Sequence, residues 1–173
     1  PSNSTSTSDI ITVEINTVTE CYCEPVVSDN VDSVTLVASE GAVFNIDYSG
    51  WASGYLDQTS TILQTYSGQE FTLYTEYNGG GQTFGVWADW NADGVFGGIN
   101  NPDERLVLSN GASPQVFTIA IPMGLANGEY RFRVRGAYDE EDEENSIVTQ
   151  GDDFSCNFQY FGSTIDFTLQ IVN

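Results

Sequence analysis

The chain has 173 residues, enough for one domain with its own hydrophobic core, and its charge is strongly unbalanced. It carries 25 acidic residues against four arginines, with no lysine and no histidine, for a net charge of −21 at pH 7. A chain without a basic face cannot neutralise nucleic-acid phosphates or bind an anionic membrane surface, and the common His- and Lys-dependent catalytic mechanisms are closed to it. We therefore expect a non-catalytic protein whose excess of acids favours a divalent cation.

The N-terminal segment divides into two parts. Residues 1–8 are small and polar, and we expect them to form a flexible lead. Residues 10–18 alternate in polarity, which places Ile11, Val13 and Ile15 on one face of a half-buried strand. We therefore treat residues 1–20 as a lead that carries an extra strand, and residues 21–173 as the body of the protein.

The remainder of the chain reads as all-β. β-Branched and aromatic residues recur in short runs, and glycine and asparagine punctuate the chain between many of them, which is typical of a β-sandwich or a closed barrel. Residues 55–66 are the one stretch that could hold a short helix, and three consecutive hydroxyl residues weaken that interpretation. The predicted strands are 31–38, 42–48, 70–77, 83–90, 104–109, 115–121, 129–138 and 164–172.

One loop follows the pattern of a calcium site. Asp89, Asn91 and Asp93 occupy positions 1, 3 and 5, where oxygen side chains converge on a cation in an EF-hand loop. Gly94 follows at position 6, where a sharp turn is needed, and Val95 offers its carbonyl at position 7. The same residue types also favour a simple turn between strands, but their spacing and the glycine favour Ca²⁺.

The second half of this loop departs from the EF-hand pattern. Position 12 is Asn100, where an EF-hand has a glutamate that closes the coordination shell. The next carboxylates are Asp103 and Glu104. We expect Glu104 to complete the set, with Asp103 as the alternative.

These residues resemble the GEVED domain family of secreted bacterial proteins. The family carries a pattern like D-x-N-x-D-G-x-F followed by Glu-Arg, which reads here as Asp89 to Phe96 and then Glu104-Arg105. The motif that names the family is represented by Gly162 to Phe167, in which the glycine and the aspartate are kept and both glutamates are replaced. Further matches, over about residues 22–172, are Tyr22-Cys23, Ser49-Gly50, Tyr55, Asp57, Thr59, Pro122, Gly128, Arg131, Arg133 and Arg135.

The resemblance implies an antiparallel β-sandwich, of jelly-roll or immunoglobulin-like type, with bound calcium on an extracellular bacterial protein. Disulfides persist in that environment. Of the three cysteines, we expect Cys23 to pair with Cys156, which would join the first segment of the domain to the approach of its last strand. Cys21 with Cys156 is the alternative pairing.

An acidic run and a row of arginines each have a structural and a functional interpretation. The acidic run 139–144 is typical of a solvated loop, and a second cation site is the alternative. Arg131, Arg133 and Arg135 alternate with inward-facing residues on one strand. We favour local salt bridges for these arginines over an anion site.

Three tryptophans bear on sugar binding. We expect Trp87 to pack in the core, whereas Trp51 and Trp90 are expected to be more exposed and are the candidates for a sugar-stacking platform. Because sandwich cores use aromatic residues heavily, core packing is the favoured interpretation of the tryptophans.

The N-terminal strand suggests a function for a chain without a recognisable catalytic set. A tethered apolar strand can cover an edge of its own sandwich or add to an edge of a neighbour. Head-to-tail addition of this kind propagates as an open filament. We expect a homopolymeric cell-surface or secreted fibre, with Ile11, Val13 and Ile15 as donor positions. A carbohydrate-binding accessory module that contacts glycans is the alternative, and an enzyme that uses an Asp/Glu pair is the weakest hypothesis.

Overall fold

The computed structural model describes residues 22–25, 27–29, 34–39, 42–45, 54–77, 82–97, 102–138, 155–156 and 159–172. Several sequence predictions fall outside this part of the chain: the lead and donor strand of residues 1–20, Cys21, Trp51 and the acidic run 139–144. Among the residues described, no helix has the length and apolarity that a bilayer crossing requires.

The described chain contains ten strands and a turn of 3-10 helix before the seventh strand, joined by turns and loops. The helical turn is Pro102–Glu104. The strands are β1 Val27–Asp29, β2 Val34–Ser39, β3 Ala42–Asn45, β4 Tyr55–Tyr66, β5 Glu70–Tyr77, β6 Gln82–Ala88, β7 Arg105–Gly111, β8 Gln115–Ala120, β9 Gly128–Tyr138 and β10 Gln159–Val172.

The strands form two sheets, which confirms the predicted all-β sandwich. The first sheet has the order β1-β10-β9-β6-β7, with β4 also paired to the long strand β10. The second sheet has the order β3-β2-β5-β8. Most neighbours are antiparallel, as predicted, but β10 pairs in parallel with both β1 and β4.

Strand β4 corrects the interpretation of residues 55–66 as a candidate short helix. Its C-terminal half alternates with period two, because Leu63 and Thr65 are buried while Gln64 and Tyr66 are exposed. Residues 55–58 and 62–66 pair with Thr164–Val172 of β10, on either side of a register irregularity between Phe167 and Thr168. Pairing with a distant strand therefore outweighs the weak local preference for a helix.

The core fills the space between the two sheets with aliphatic and aromatic side chains. Phe132 and Val134 of β9 point into it, as the alternation of that strand predicts, and are fully buried. Phe132 packs against Phe167 of β10, with ring centroids 4.7 Å apart, and against Phe71 of the opposite sheet at 5.8 Å. These contacts hold β9 and β10 together, and the outer face of the same two strands carries the polar groups described below.

A second apolar cluster covers part of that outer face. Trp87 is fully buried there with Phe96 and Ala137, and Tyr22 packs against them. The indole lies directly over Gly85, where an added Cβ would come within 1.9 Å of Trp87 Cη2. Only glycine fits at this position. Phe96 is thereby anchored beside the end of β6, which positions the loop that leaves this strand.

Candidate functional site

The predicted calcium loop leaves the end of β6, and its first residue is fully buried. The backbone amide of Asp89 donates to the carbonyl of Arg131 at 3.0 Å, so β9 holds the start of the loop. The Asp89 carboxylate turns back into the loop. Its Oδ1 accepts from the amide of Asp93 at 3.2 Å, and its Oδ2 accepts from the amide of Gly94 at 2.9 Å.

The next two oxygen-bearing side chains also close on the loop backbone. Asn91 Oδ1 accepts from the same Asp93 amide at 2.9 Å, and Asp93 Oδ1 accepts from the amide of Val95 at 2.9 Å. The chain turns through left-handed conformations at Ala92 (φ 57°) and Gly94 (φ 82°), the second of which glycine adopts without strain. Oxygens from positions 1 and 3 thus gather around one nitrogen, while the side chain of Val95 is exposed.

The structure brings Glu104, rather than Asp103, to the loop. Glu104 is 3% exposed and accepts hydrogen bonds from the amide of Gly97 at 3.0 Å and from the amide of Asn91. Asp103 is exposed. The helical turn Pro102–Glu104 therefore points one of its two acids into the site.

Negative charge accumulates where these side chains meet. Burial raises the pKa of the Glu104 carboxyl, and repulsion from Asp89 and Asp93 raises it further, while its two backbone hydrogen bonds oppose the shift. A bound cation would relieve this repulsion, and a set of carboxylate, amide and carbonyl oxygens suits Ca²⁺. Within the described ranges, no group of three or more His, Cys, Asp and Glu side chains has the arrangement of a metal site. The acids of the loop face backbone amides instead.

A buried ion pair lies on the same outer face, and sequence reasoning missed its acidic member. Arg133 of β9 and Asp166 of β10 are both fully buried and directly opposite each other in the sheet. The guanidinium donates from Nε to Asp166 Oδ1 at 2.6 Å and from Nη2 to Oδ2 at 2.7 Å. The available signal was that Asp166 is the single acid in the predicted strand 164–172, while the predicted strand 129–138 carries alternating arginines.

Two further side chains complete this ion pair. Tyr55 donates its hydroxyl to Asp166 Oδ2 at 3.1 Å, and Arg131 lies 3.5 Å from the same oxygen. Burial and the charge of Asp166 raise the pKa of Tyr55, which keeps the phenol protonated and donating. Asp166 thereby ties β4, β9 and β10 together.

The arginine also holds the disulfide in place. Cys23 is joined to Cys156, with Cα atoms 5.8 Å apart. Arg133 Nη2 donates to the carbonyl of Cys23 at 2.7 Å, and Nη1 donates to the carbonyl of Ser155 at 2.8 Å. One guanidinium thus bonds both segments that the disulfide joins.

The arginine row does not form an exposed anion site. Arg133 and Arg135 are fully buried, and Arg131 retains 24% of its side-chain exposure. Burial and the charge of Arg133 lower the pKa of Arg135 to about 9. The local ion pairing expected for this row therefore describes Arg131 and Arg133.

Trp90, the second residue of the loop, is half-buried and not exposed as expected. Its indole packs against the core and meets Tyr130 edge-on, with ring centroids 5.8 Å apart. Next to it is a cleft of about 160 Å³. Its lining residues are Tyr22, Asp89, Ala92, Glu129, Tyr130, Arg131 and Thr168.

Comparison with known families identifies the part of the chain that carries the site. The model of the GEVED domain matches residues 83–170, which run from β6 through the loop to β10. The upstream similarities at Tyr22-Cys23, Ser49-Gly50, Tyr55, Asp57 and Thr59 lie outside the matched range. A search of curated proteins gives no match. Because the matched residues amount to about half of the chain and include both the Asp89 loop and Asp166, the chain belongs to the GEVED domain family, a type of domain found in secreted proteins.

Proposed function

We propose that this chain is a non-catalytic, extracellular, calcium-binding β-sandwich that serves as a structural subunit of a bacterial cell-surface or secreted fibre. The observation that carries the proposal is the loop after β6, where the buried carboxylates of Asp89 and Glu104 lie with the exposed side chains of Asn91 and Asp93, and where the acids repel one another. Asp89, Asn91, Asp93, the Val95 carbonyl and Glu104 would hold the ion. Bound calcium would neutralise these acids and stabilise the loop.

Removal of calcium should lower the melting temperature. At a calcium concentration of about 100 times the Kd, binding adds about 2.7 kcal/mol to the folded state. For a chain of this size that corresponds to a fall of about 5–10 °C in chelator. Differential scanning calorimetry in CaCl₂ and in chelator measures the difference.

Two variants assign that difference to the loop. Asp93→Asn removes a charge from the proposed ligand set and should shrink the calcium-dependent shift. Asp103→Asn, at an exposed acid that does not reach the loop, should preserve it. Equal melting temperatures of the unmodified protein in calcium and in chelator would remove the site from the proposal.

The fibre proposal requires an acceptor edge for the strand at residues 10–18, and we take β8, at one end of the second sheet, as the candidate. In the described part of the chain β8 pairs only with β5, in continuous register. Its Val116 is 61% exposed. The long edge strand β4 is less suitable because its register breaks between Gln58 and Ile62, and a bulge of this kind opposes strand addition.

Deletion of residues 1–19 should abolish filaments and leave folded monomers, because it removes the donor positions Ile11, Val13 and Ile15. Val116→Lys should have the same effect, since a lysine on an edge strand blocks pairing. Met123→Lys is the matched control, at a side chain that is 89% exposed in a turn outside the strands. Negative-stain electron microscopy in CaCl₂ provides the measurement. If filaments persist after the deletion, the N-terminal strand is not the donor. If the deletion abolishes filaments but Val116→Lys still forms them, β8 is not the acceptor edge.

Sugar binding is the second candidate, and the cleft beside the loop favours it. Tyr22, Tyr130 and Arg131 give this cleft the aromatic and polar character that sugars contact in proteins. Specific binding of the folded protein to a glycan array, weakened by Tyr130→Ala, would favour an adhesion module over the fibre subunit.

A further inference from the structure

Tyr22 connects the start of the described chain to the candidate cation loop. Its hydroxyl donates to Asp89 Oδ2 at 2.6 Å, across 67 positions of sequence. Its ring lies 5.1 Å from the ring of Phe96, at the other end of the loop, and 4.5 Å below the guanidinium of Arg131. One side chain therefore contacts both ends of the loop and strand β9.

The two carboxylate oxygens of Asp89 accept different hydrogen bonds. Oδ2 accepts from both Tyr22 and the amide of Gly94, which uses its two lone pairs. Oδ1 accepts from Asp93 alone in the described part of the chain, so a lone pair remains available on that oxygen. Tyr22 thus helps to fix the carboxylate with Oδ1 at the amide of Asp93, from which Asn91 Oδ1 also accepts.

Cys23, the residue after Tyr22, is also fixed by contacts with distant parts of the chain. Cys23 is bonded to Cys156 and accepts a hydrogen bond from Arg133 at its carbonyl. Tyr22 therefore joins the loop to a clamped point of the backbone, immediately after the N-terminal region in which the donor strand is predicted. A change in the order of the loop can therefore reach this point through the hydrogen bond of Tyr22 to Asp89 and its ring contact with Phe96.

We infer that Tyr22 is a positioning residue for the cation, and that cation binding and the anchoring of the segment at Tyr22 stabilise each other. The inference rests on the proposed calcium site. Groups that orient a metal ligand from outside typically contribute 10- to 100-fold to metal affinity. By linkage, a cation that favours the anchored Tyr22 must itself bind more tightly when Tyr22 is anchored.

The test compares calcium affinity in three full-length proteins by isothermal titration calorimetry with CaCl₂. Tyr22→Phe keeps the ring contacts with Phe96 and Arg131 but loses the hydroxyl, and should bind calcium about 10- to 100-fold more weakly. Tyr130→Phe is the matched control. It lines the same cleft and also loses a hydroxyl hydrogen bond, to the Ala126 carbonyl, and it should bind within twofold of the unmodified protein.

A second measurement separates positioning from ordinary stabilisation. If the Tyr22 hydroxyl only stabilised the fold, Tyr22→Phe would lower the melting temperature by the same amount with and without calcium. The Kd for calcium would then be unchanged. Amide hydrogen exchange at residues 22–24 should slow on addition of CaCl₂ in the unmodified protein, and less so in Tyr22→Phe.

The outcomes separate failure of the Tyr22 inference from failure of the proposed calcium site. If the unmodified protein binds calcium and Tyr22→Phe binds it equally well, the positioning role is overturned and the calcium site stands. Calcium-independent amide exchange at residues 22–24 would overturn the coupling to this segment. If the unmodified protein binds no calcium at millimolar concentration, the proposed site fails, and this inference fails with it.

Discussion

Replacement of Asp166 by asparagine should lower the free energy of unfolding by about 3–5 kcal/mol, because it leaves the fully buried Arg133 guanidinium without its counter-charge. Asparagine has nearly the shape of aspartate and can still accept the hydroxyl of Tyr55, so the cost arises from charge and not from a cavity. For a chain of this size the melting temperature should fall by more than about 6 °C. Urea unfolding followed by tryptophan fluorescence measures the effect.

The matched control is Asp57→Asn, at the position of β4 that pairs with Asp166 in the sheet. The side chain of Asp57 is exposed, and it accepts a hydrogen bond from the amide of Thr59, which lowers the pKa of Asp57. Asparagine can accept the same bond, so the change in stability should stay below about 0.5 kcal/mol. Equal stability of the Asp166 and Asp57 variants would show that Arg133 does not depend on Asp166.

Removal of the disulfide should destabilise the protein by a similar amount. Cys23 and Cys156 are separated by 133 positions, and in the chain-entropy model closure of so long a loop contributes about 5 kcal/mol. The double variant Cys23→Ser/Cys156→Ser, prepared with Cys21→Ser to prevent alternative pairing, should therefore unfold at much lower urea concentration than Cys21→Ser alone.

The single variant Cys21→Ser is the control and also decides between the two pairings. It should keep the stability of the unmodified protein and yield a Cys23–Cys156 peptide in non-reducing mass spectrometry. A Cys21–Cys156 peptide in the unmodified protein would contradict the pairing in the structure. The losses from Asp166→Asn and from disulfide removal should not add fully, because Arg133 bonds both Asp166 and the carbonyl of Cys23.

Most strands could be predicted from the sequence because the signal for a strand is local. The run 70–77 coincides with β5, and the predicted strand 129–138 differs from β9 by one residue. Alternation with period two needs only the residues of the strand itself. Strand β4 lacks a clean alternation in its first half, and the short β1 has three residues, so neither could be recognised without its partner β10.

The candidate site also has a part that local sequence predicts and a part that depends on the tertiary structure. The spacing of Asp89, Asn91 and Asp93 predicts the loop because these oxygen-bearing residues lie within a few positions of one another. Which acid closes the loop depended on the direction of the short helical turn, and the structure selects Glu104 over Asp103. No local pattern determines such a direction.

By itself, the sequence determined the class of the protein: an acidic all-β chain with a calcium-type loop and the motifs of the GEVED family. Only the tertiary structure decided which distant groups meet, namely Arg133 with Asp166, Cys23 with Cys156, and Tyr22 with Asp89. The physical reason is that backbone periodicity and loop spacing are properties of neighbouring residues. Contacts between groups 33 to 133 positions apart depend instead on the register in which the strands pair and on the faces they bury.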